Sequence, residues 1–490
     1  MDPIIERFAP LFSPRTLALV GASKDARKWG FTVLRNLISG GFTGKIYPVN
    51  PREPEIMGLK VFPSLAAIPG EIDLAIVIVP SPQVLSVLQD CRQRGVKAVF
   101  IITSGFGETG EEGKSVEKEI ARIAEEGRIL LAGPNGQGLV NTKVKMYALM
   151  GAITPEEGHI SLVSQSGNVG GTLMSRGTHL QVGFQKFISS GNEAFLKTED
   201  YLEYFGADPD TRVILAYVEG IKDGRRFVEV AGRVARKKPV LLLKGGRTRA
   251  GNRATASHTG SMSSEDALLT DALKQAGVIQ VDGMEDLFDL GVAFIRQPLP
   301  RGRRAGILTI GGGWGVLAAD AAEREGLDVV PLPPGVIAEL DRFLPAWWSR
   351  VNPVDTVAGT AGGMLLKSLK VLLACPEIDG LILLGIGHNY PLAKKIKESP
   401  FYPDFGLDKI ADQMMKDDLA TAAEIVSLMD QYQKPVVTSS EAAAYSRVVG
   451  NQALQILERE GIITYTTPDK AARVLATLAK RSEFLQKRQT

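Results

Sequence analysis

Residues 17–30, LALVGASKDARKWG, run an apolar segment straight into a glycine and then into a helical pattern. Strand, glycine turn and helix in that order are how a doubly wound α/β sheet offers backbone N–H groups to a phosphate. A dinucleotide fingerprint would read GxGxxG, with an acidic residue about 20 positions on to take the ribose hydroxyls. Here the glycines are Gly21 and Gly30, and the next strand ends at Asn50, so NAD fits poorly. Lys24, Arg27, Lys28 and Arg52 instead suit a nucleotide with extra phosphate, as coenzyme A carries; the simpler reading is a solvated basic helix start. The stretch SGGFTGKIY at 39–47 has a GK pair but lacks P-loop spacing, so ATP is not bound that way.

Outward from this turn the same alternation of short strands and helices occurs three times, which predicts an α/β chain of three successive doubly wound domains. The first array has TLALVG, GKIYPVN, IDLAIVIVP, KAVFIIT and RILLAG as strands. The second has HISLVSQSG, FQKFISSG, RVILAYVEG, KPVLLLKGG and VIQVD, and ends at RQPLPRGRRAG, residues 296–306. The third has AGILTIGGG, LDVVPL, IDGLILLGIG, KPVVTSS and IITY. The domains are expected at 1–145, 146–298 and 299–490.

The opening turn of each later array is also a candidate anion site. In HISLVSQSGNVGGTL a strand delivers Ser164, Ser166 and Gly167 to a helix start, where hydroxyls and unpaired N–H groups meet the positive end of the helix dipole. In LTIGGGWGVLAAD the glycines around Gly312 and Gly313 allow close backbone approach before another helix. Taken alone, each is as simply an ordinary helix start. Between them lies RATASHTGSMSS, 253–264, read as a loop of small residues around His258, one of four histidines. A neutral imidazole there can take a phosphoryl group near pH 7. It needs an orienting carboxylate, and Glu219, closing RVILAYVEG, stands where α/β sheets gather functional groups. His159, His179 and His388 sit in structural or surface contexts.

Composition restricts the rest. With 57 basic and 55 acidic residues the net charge of +2 gives no field for nucleic acid or a membrane surface. Two distant cysteines, Cys91 and Cys375, form no metal-ligand spacing and fit a reducing compartment. No signal peptide and no spanning apolar run is present, so the chain reads as cytoplasmic, with no metal site of its own.

Seven motifs then occur in an order that resembles the NDP-forming acyl-CoA synthetases of the succinyl-CoA synthetase superfamily. They are GPNGQG (133–138), SQSGNVGG (164–171), SGNEA (190–194), YVEGI (217–221), SHTGS (257–261), GGGWGVLAAD (311–320) and NPVD (352–355). The likeness covers nearly the whole chain and is to the alpha subunit. It implies a CoA-binding Rossmann domain followed by two flavodoxin-like ligase domains. It also implies His258 as the phosphorylated nucleophile, Glu219 as its hydrogen-bonding partner, and Ser164, Ser166, Gly167, Gly312 and Gly313 as the phosphate cradle. CoA would lie along Gly21, Ser23, Lys24, Arg27, Lys28, Arg52, Pro80, Thr103 and Asn135. The substrates implied are an acyl-CoA and phosphate. ADP or ATP, with Mg²⁺, would sit on an ATP-grasp beta subunit in a heterotetramer. Three places depart from the family pattern: Gly136 stands where cysteine is common, GNEAFLKTED lacks the following acids, and SHTGSMSS replaces SHTGALAG. Two other classes stay open, a noncatalytic CoA-binding regulator and an NAD-dependent oxidoreductase.

Overall fold

The computed structural model describes residues 2–259, 266–357 and 363–487; the side chains of 255–259 and 266–267 fall outside that description. The chain divides into two compact units, Met1–Gly291 and Val292–Thr490.

The first unit holds two main sheets. Strands β1 (Thr16–Val20), β2 (Lys45–Val49), β3 (Leu74–Val77), β4 (Ala98–Ile101) and β5 (Leu130–Ala132) pair in parallel in the order β2-β1-β3-β4-β5. Every residue of β3 and β4 is buried, which is why these strands read as unbroken apolar runs: helices cover both faces. The second sheet has β6 (Gly138–Asn141), β7 (Met146–Leu149), β8 (Glu157–Ser164), β9 (Phe184–Ser189), β10 (Val213–Val218), β11 (Val240–Lys244) and β12 (Ile279–Val281). Its order is β12-β11-β10-β8-β9-β6-β7, with β6 and β7 antiparallel at the edge. That hairpin straddles residue 145 and extends the second sheet.

Helix α1 (Pro3–Phe12), capped by the Asp2 carboxylate, anchors the N-terminus of this unit. Its Phe8 and Phe12 stack on Tyr204 at 4.8 and 4.9 Å between ring centres, and the Asn141 amide donates to the Phe12 carbonyl at 2.8 Å. The N-terminal segment is therefore packed against the second sheet's domain by buried aromatic area.

The second unit is built on β13 (Arg304–Thr309), β14 (Asp328–Val329), β15 (Val354–Asp355), β16 (Gly380–Leu384), β17 (Val436–Ser439) and β18 (Thr464–Tyr465). Its parallel path is β14-β13-β16-β17-β18, with β15 also on β13. In all three sheets the five-stranded parallel path runs second, first, third, fourth, fifth in chain order. Neighbouring connections thus leave in opposite directions between the first and third strands, and a crevice opens at their carboxyl ends. The three glycine- or serine-rich turns of the sequence follow the first strand in each case. Among the described residues no helix is long and apolar enough to cross a membrane.

Candidate active site

The first crevice is shaped by backbone contact. Gly21, at φ +96°, lies so close to the chain leaving β3 that a side chain would strike the Ile78 carbonyl; a methyl on Gly30 would strike the carbonyl of Gly21. Helix α2 (Trp29–Ser39) begins without a side-chain cap. Asn50, at the end of β2, donates to the Ala22 carbonyl at 2.7 Å and accepts from the Arg52 N–H at 2.9 Å, so it fixes the turn. Farther along the same edge, the Thr103 hydroxyl donates to the Val79 carbonyl at 2.7 Å, and the Asn135 N–H donates to the Thr103 carbonyl at 2.9 Å. Gly21, Pro80, Thr103 and Asn135 are thus brought to the carboxyl edge of one sheet.

The cations of this turn carry partners that the sequence reading did not weigh. Lys24 pairs with Glu53 at 3.0 Å, and Arg27 makes a two-pronged bond to Asp25 with both distances 3.0 Å. The guanidinium holds the Asp25 carboxyl down at about 2. Asp25 also donates its N–H to the buried Ser23 hydroxyl at 3.1 Å. Lys28 and Arg52 are exposed. A phosphate drawn to Lys24 or Arg27 competes with these carboxylates.

The second crevice joins residues far apart in sequence. The Ser166 hydroxyl accepts from the Val169 N–H at 3.4 Å and caps helix α3 (Gly167–Leu180), while the buried Ser164 hydroxyl donates to the Ser166 carbonyl at 2.5 Å. Opposite them Glu219 follows β10, buried, and receives the Tyr217 hydroxyl at 3.3 Å. Burial, with the carboxylate of Glu219 beside it, pushes the Tyr217 phenol up to about 12. Gln165 spans the gap: its Oε1 accepts from the N–H groups of Glu219 and Gly220 at 2.6 and 3.0 Å. Glu193 lies fully buried nearby, accepting from the hydroxyls of Ser190 and Thr198 at 2.7 and 2.6 Å, and burial pushes its carboxyl up. Gln165 and Glu193 were not among the sequence candidates. Both stood in plain view, one between the serines of SQSG and the other in SGNEA.

His258 falls in helix α4 (Arg249–Thr259), and its side chain lies outside the described residues. The loop expected around it is therefore helical as far as Thr259. Ala250, Ala254 and Ala256 supply helix propensity that the reading of small residues as loop overlooked. The helix packs against the short turn Gly107–Thr109 of the first domain.

In the second unit, helix α5 (Gly312–Arg324) starts after Gly311 without a side-chain cap. A Cβ on Gly312 would lie 3.0 Å from the Asp355 carboxylate, so an acid already stands at this positive helix end; around Gly313 the space is open. His388, after β16, bonds through Nδ1 to Glu441. His159 makes a 3.0 Å contact from Nδ1 to the Asp210 carbonyl, and His179 lies in the last turn of α3. Among the described residues no three His, Cys, Asp or Glu side chains form a metal-binding group.

Three sequence families match in tandem: a CoA binding domain over 15–142, a succinyl-CoA ligase like flavodoxin domain over 157–294 and a ligase-CoA domain over 305–392. The chain is 38% identical over 474 residues to the acetate–CoA ligase (ADP-forming) II subunit alpha of Pyrococcus furiosus, covering 96% of this chain and 97% of that one. The chain belongs to the ADP-forming acyl-CoA synthetase alpha subunits. The type I alpha subunit of the same organism is 37% identical over 489 residues, covering 97% and 98% of the two chains. Among solved structures, the Ca. Korarchaeum cryptofilum dinucleotide-forming acetyl-coenzyme A synthetase 1, in complex with phosphate and ADP, superposes with a TM-score of 0.84. It is 33% identical and covers 99% of each chain.

As an ADP-forming acyl-CoA synthetase subunit, the chain is a ligase that joins an acid to a thiol, and coenzyme A is that thiol. The CoA binding domain match spans the first crevice, from Gly21 to Asn135. One departure from the family pattern has a steric cause: a Cβ on Gly136 would come within 2.6 Å of the Phe100 ring and 2.7 Å of the Ser189 carbonyl. In this synthetase the core ring occupies the room a cysteine at 136 would need.

Proposed function

We propose that this subunit works with an ATP-grasp beta subunit, in a heterotetramer, to interconvert a short-chain acyl-CoA, phosphate and ADP with the free acid, CoA and ATP. The observation that carries the reading is the meeting of Ser164, Ser166 and Gly167 with Glu219 across one crevice, bridged by Gln165. Phosphate attacks the thioester carbonyl; the C–S bond breaks, CoA leaves as the thiol, and an acyl phosphate remains. The neutral imidazole of His258 then attacks phosphorus, and the carboxylate departs; the phosphoryl group next passes from the ring to ADP on the partner, giving ATP and restoring the neutral imidazole. Glu219 orients the ring and balances the charge of the imidazolium. Donors at the start of α3 steady the transferring phosphoryl group, each helix end contributing about 0.3–1 kcal/mol. Gly312 and Gly313 are proposed as a phosphate-binding turn of the second unit.

CoA lies along Gly21, Ser23, Lys24, Arg27, Lys28, Arg52, Pro80, Thr103 and Asn135. ADP and Mg²⁺ are held by the partner. The domains are taken as 1–145, 146–298 and 299–490, with the β6–β7 hairpin crossing the first boundary to join the second sheet, and the setting is cytoplasmic, in keeping with two buried unpaired thiols, Cys91 and Cys375. Acetate heads the candidate acids because the Pyrococcus relatives are named for it. The test is a coupled assay with the reconstituted pair over a panel of acyl-CoAs: ATP must appear only when ADP, phosphate and both subunits are present. ATP formation without phosphate would overturn the reaction.

A further inference from the structure

The last strand residue of β10 paired to β11 is Val218, so Glu219 stands one step beyond the ladder, where no neighbouring strand fixes its backbone. Side chains take over that task. Gln165 first prolongs the β8–β10 pairing by donating its own N–H to the Tyr217 carbonyl at 3.0 Å. Its amide oxygen then accepts from the N–H groups of Glu219 and Gly220 at 2.6 and 3.0 Å, and its amide nitrogen donates to the Gly220 carbonyl at 2.8 Å. From the β11 side, the buried Lys244 ammonium donates to the Glu219 carbonyl at 2.9 Å and to the Gly245 carbonyl at 2.5 Å. Gln165 is tied in turn to the buried Glu193 carboxyl. Both backbone groups of Glu219 therefore end on side chains from the carboxyl ends of the flanking strands. With N–H and C=O held, the direction of its Cα–Cβ bond is set before any substrate arrives.

The geometry points to Gln165 as a positioning residue that aims the Glu219 carboxylate, a role that rests on Glu219 being the partner of His258. The chemistry of the amide makes this specific. One group must accept from two N–H donors and at the same time donate to a carbonyl. An ionised carboxylate offers only acceptors and would face both the Gly220 carbonyl and Glu193. A protonated carboxyl, like the amide, supplies an acceptor and a donor.

The test uses the complete enzyme with its beta subunit and follows transfer of phosphate from ATP to the alpha subunit, together with the CoA KM and the thermal midpoint. Gln165→Ala should slow labelling by about tenfold to a hundredfold, as expected when a catalytic group is misplaced by about 1 Å. The CoA KM should stay within about twofold, since the first crevice is untouched. Gln165→Glu should gain a pH dependence absent from the wild type, with labelling recovering as pH falls and the introduced, partly buried carboxyl takes up a proton. Labelling at the wild-type rate in Gln165→Ala, or a wild-type pH profile in Gln165→Glu, overturns the inference. If Gln165→Ala folds poorly, the pH profile of Gln165→Glu still decides. Glu219→Gln separates the two layers. Full labelling in that variant removes the role of Glu219 itself; lost labelling there with intact labelling in Gln165→Ala removes only the positioning role.

Discussion

A methyl group on Gly30 would overlap the carbonyl oxygen of Gly21, so α2 and the turn before it pack backbone against backbone. Gly30→Ala must push the helix away from the turn, and the N–H groups at its start move with it. CoA affinity should fall by about tenfold or more, equivalent to about 1.4 kcal/mol or more, in a calorimetric titration. Labelling from ATP should persist, since the second crevice is not altered. An unchanged dissociation constant would remove this turn from the CoA site.

Stability of the second unit should fall as pH rises. Asp418 is buried and accepts from the Tyr390 N–H at 2.9 Å and the Asn389 amide at 3.2 Å, yet burial pushes its carboxyl from 3.8 up to about 7. Beside it, the bond to Glu441 raises the His388 imidazole above its ordinary 6.5. A raised acid means that the folded state binds the proton more tightly, so the stability present below about pH 4 is lost as pH climbs towards 7. The raised histidine has the same sign: its contribution is present below about 6.5 and is lost as pH climbs through the raised value. Glu441, held below its ordinary 4.5, acts only at lower pH. The thermal midpoint should drop between about pH 5 and pH 8, and Asp418→Asn should flatten the slope. A midpoint that rises over that range would contradict this.

Lys186 and Asp208 form a buried ion pair at 2.7 Å, with side-chain exposures of 4% and 6%. Thr211 donates a further bond to the same carboxylate at 2.6 Å, and Lys238 donates to the Asp208 main-chain carbonyl at 2.5 Å. Lys186→Met leaves a carboxylate buried without its cation and should cost about 3–5 kcal/mol in urea denaturation. The double change Lys186→Met with Asp208→Leu should recover part of that loss. A single variant as stable as the wild type would show that Lys238 supplies the missing charge or that water solvates the carboxylate.

Much of the architecture was legible because buried parallel strands leave unbroken apolar runs between glycine-rich turns. The fifteen strands read from TLALVG to IITY all appear in the three sheets. The β6–β7 hairpin did not stand out, since GLVN and MYAL are short and lie at an antiparallel edge. Helix α1 did not stand out either, since ten residues carry too little periodicity to announce a helix, although Asp2 caps it and Phe8 faces a buried tyrosine. At the site, Ser166 and Glu219 were visible as residue types at strand ends. The clamp of Gln165 and Lys244 was not, because hydrogen bonding across 54 and 25 positions depends on strand order, which periodicity does not give. The carboxylates that neutralise Lys24 and Arg27 were missed for a plainer reason, as the cations were weighed without Asp25 and Glu53.

The most direct test of phosphate transfer through one imidazole is to incubate the subunit with its ATP-grasp partner, Mg²⁺ and labelled ATP, and then to map the phosphorylated peptide. The label should be stable in base and lost in acid, should lie within residues 257–261, and should vanish in His258→Ala. A label that survives that substitution, or maps to His159, His179 or His388, would contradict the account.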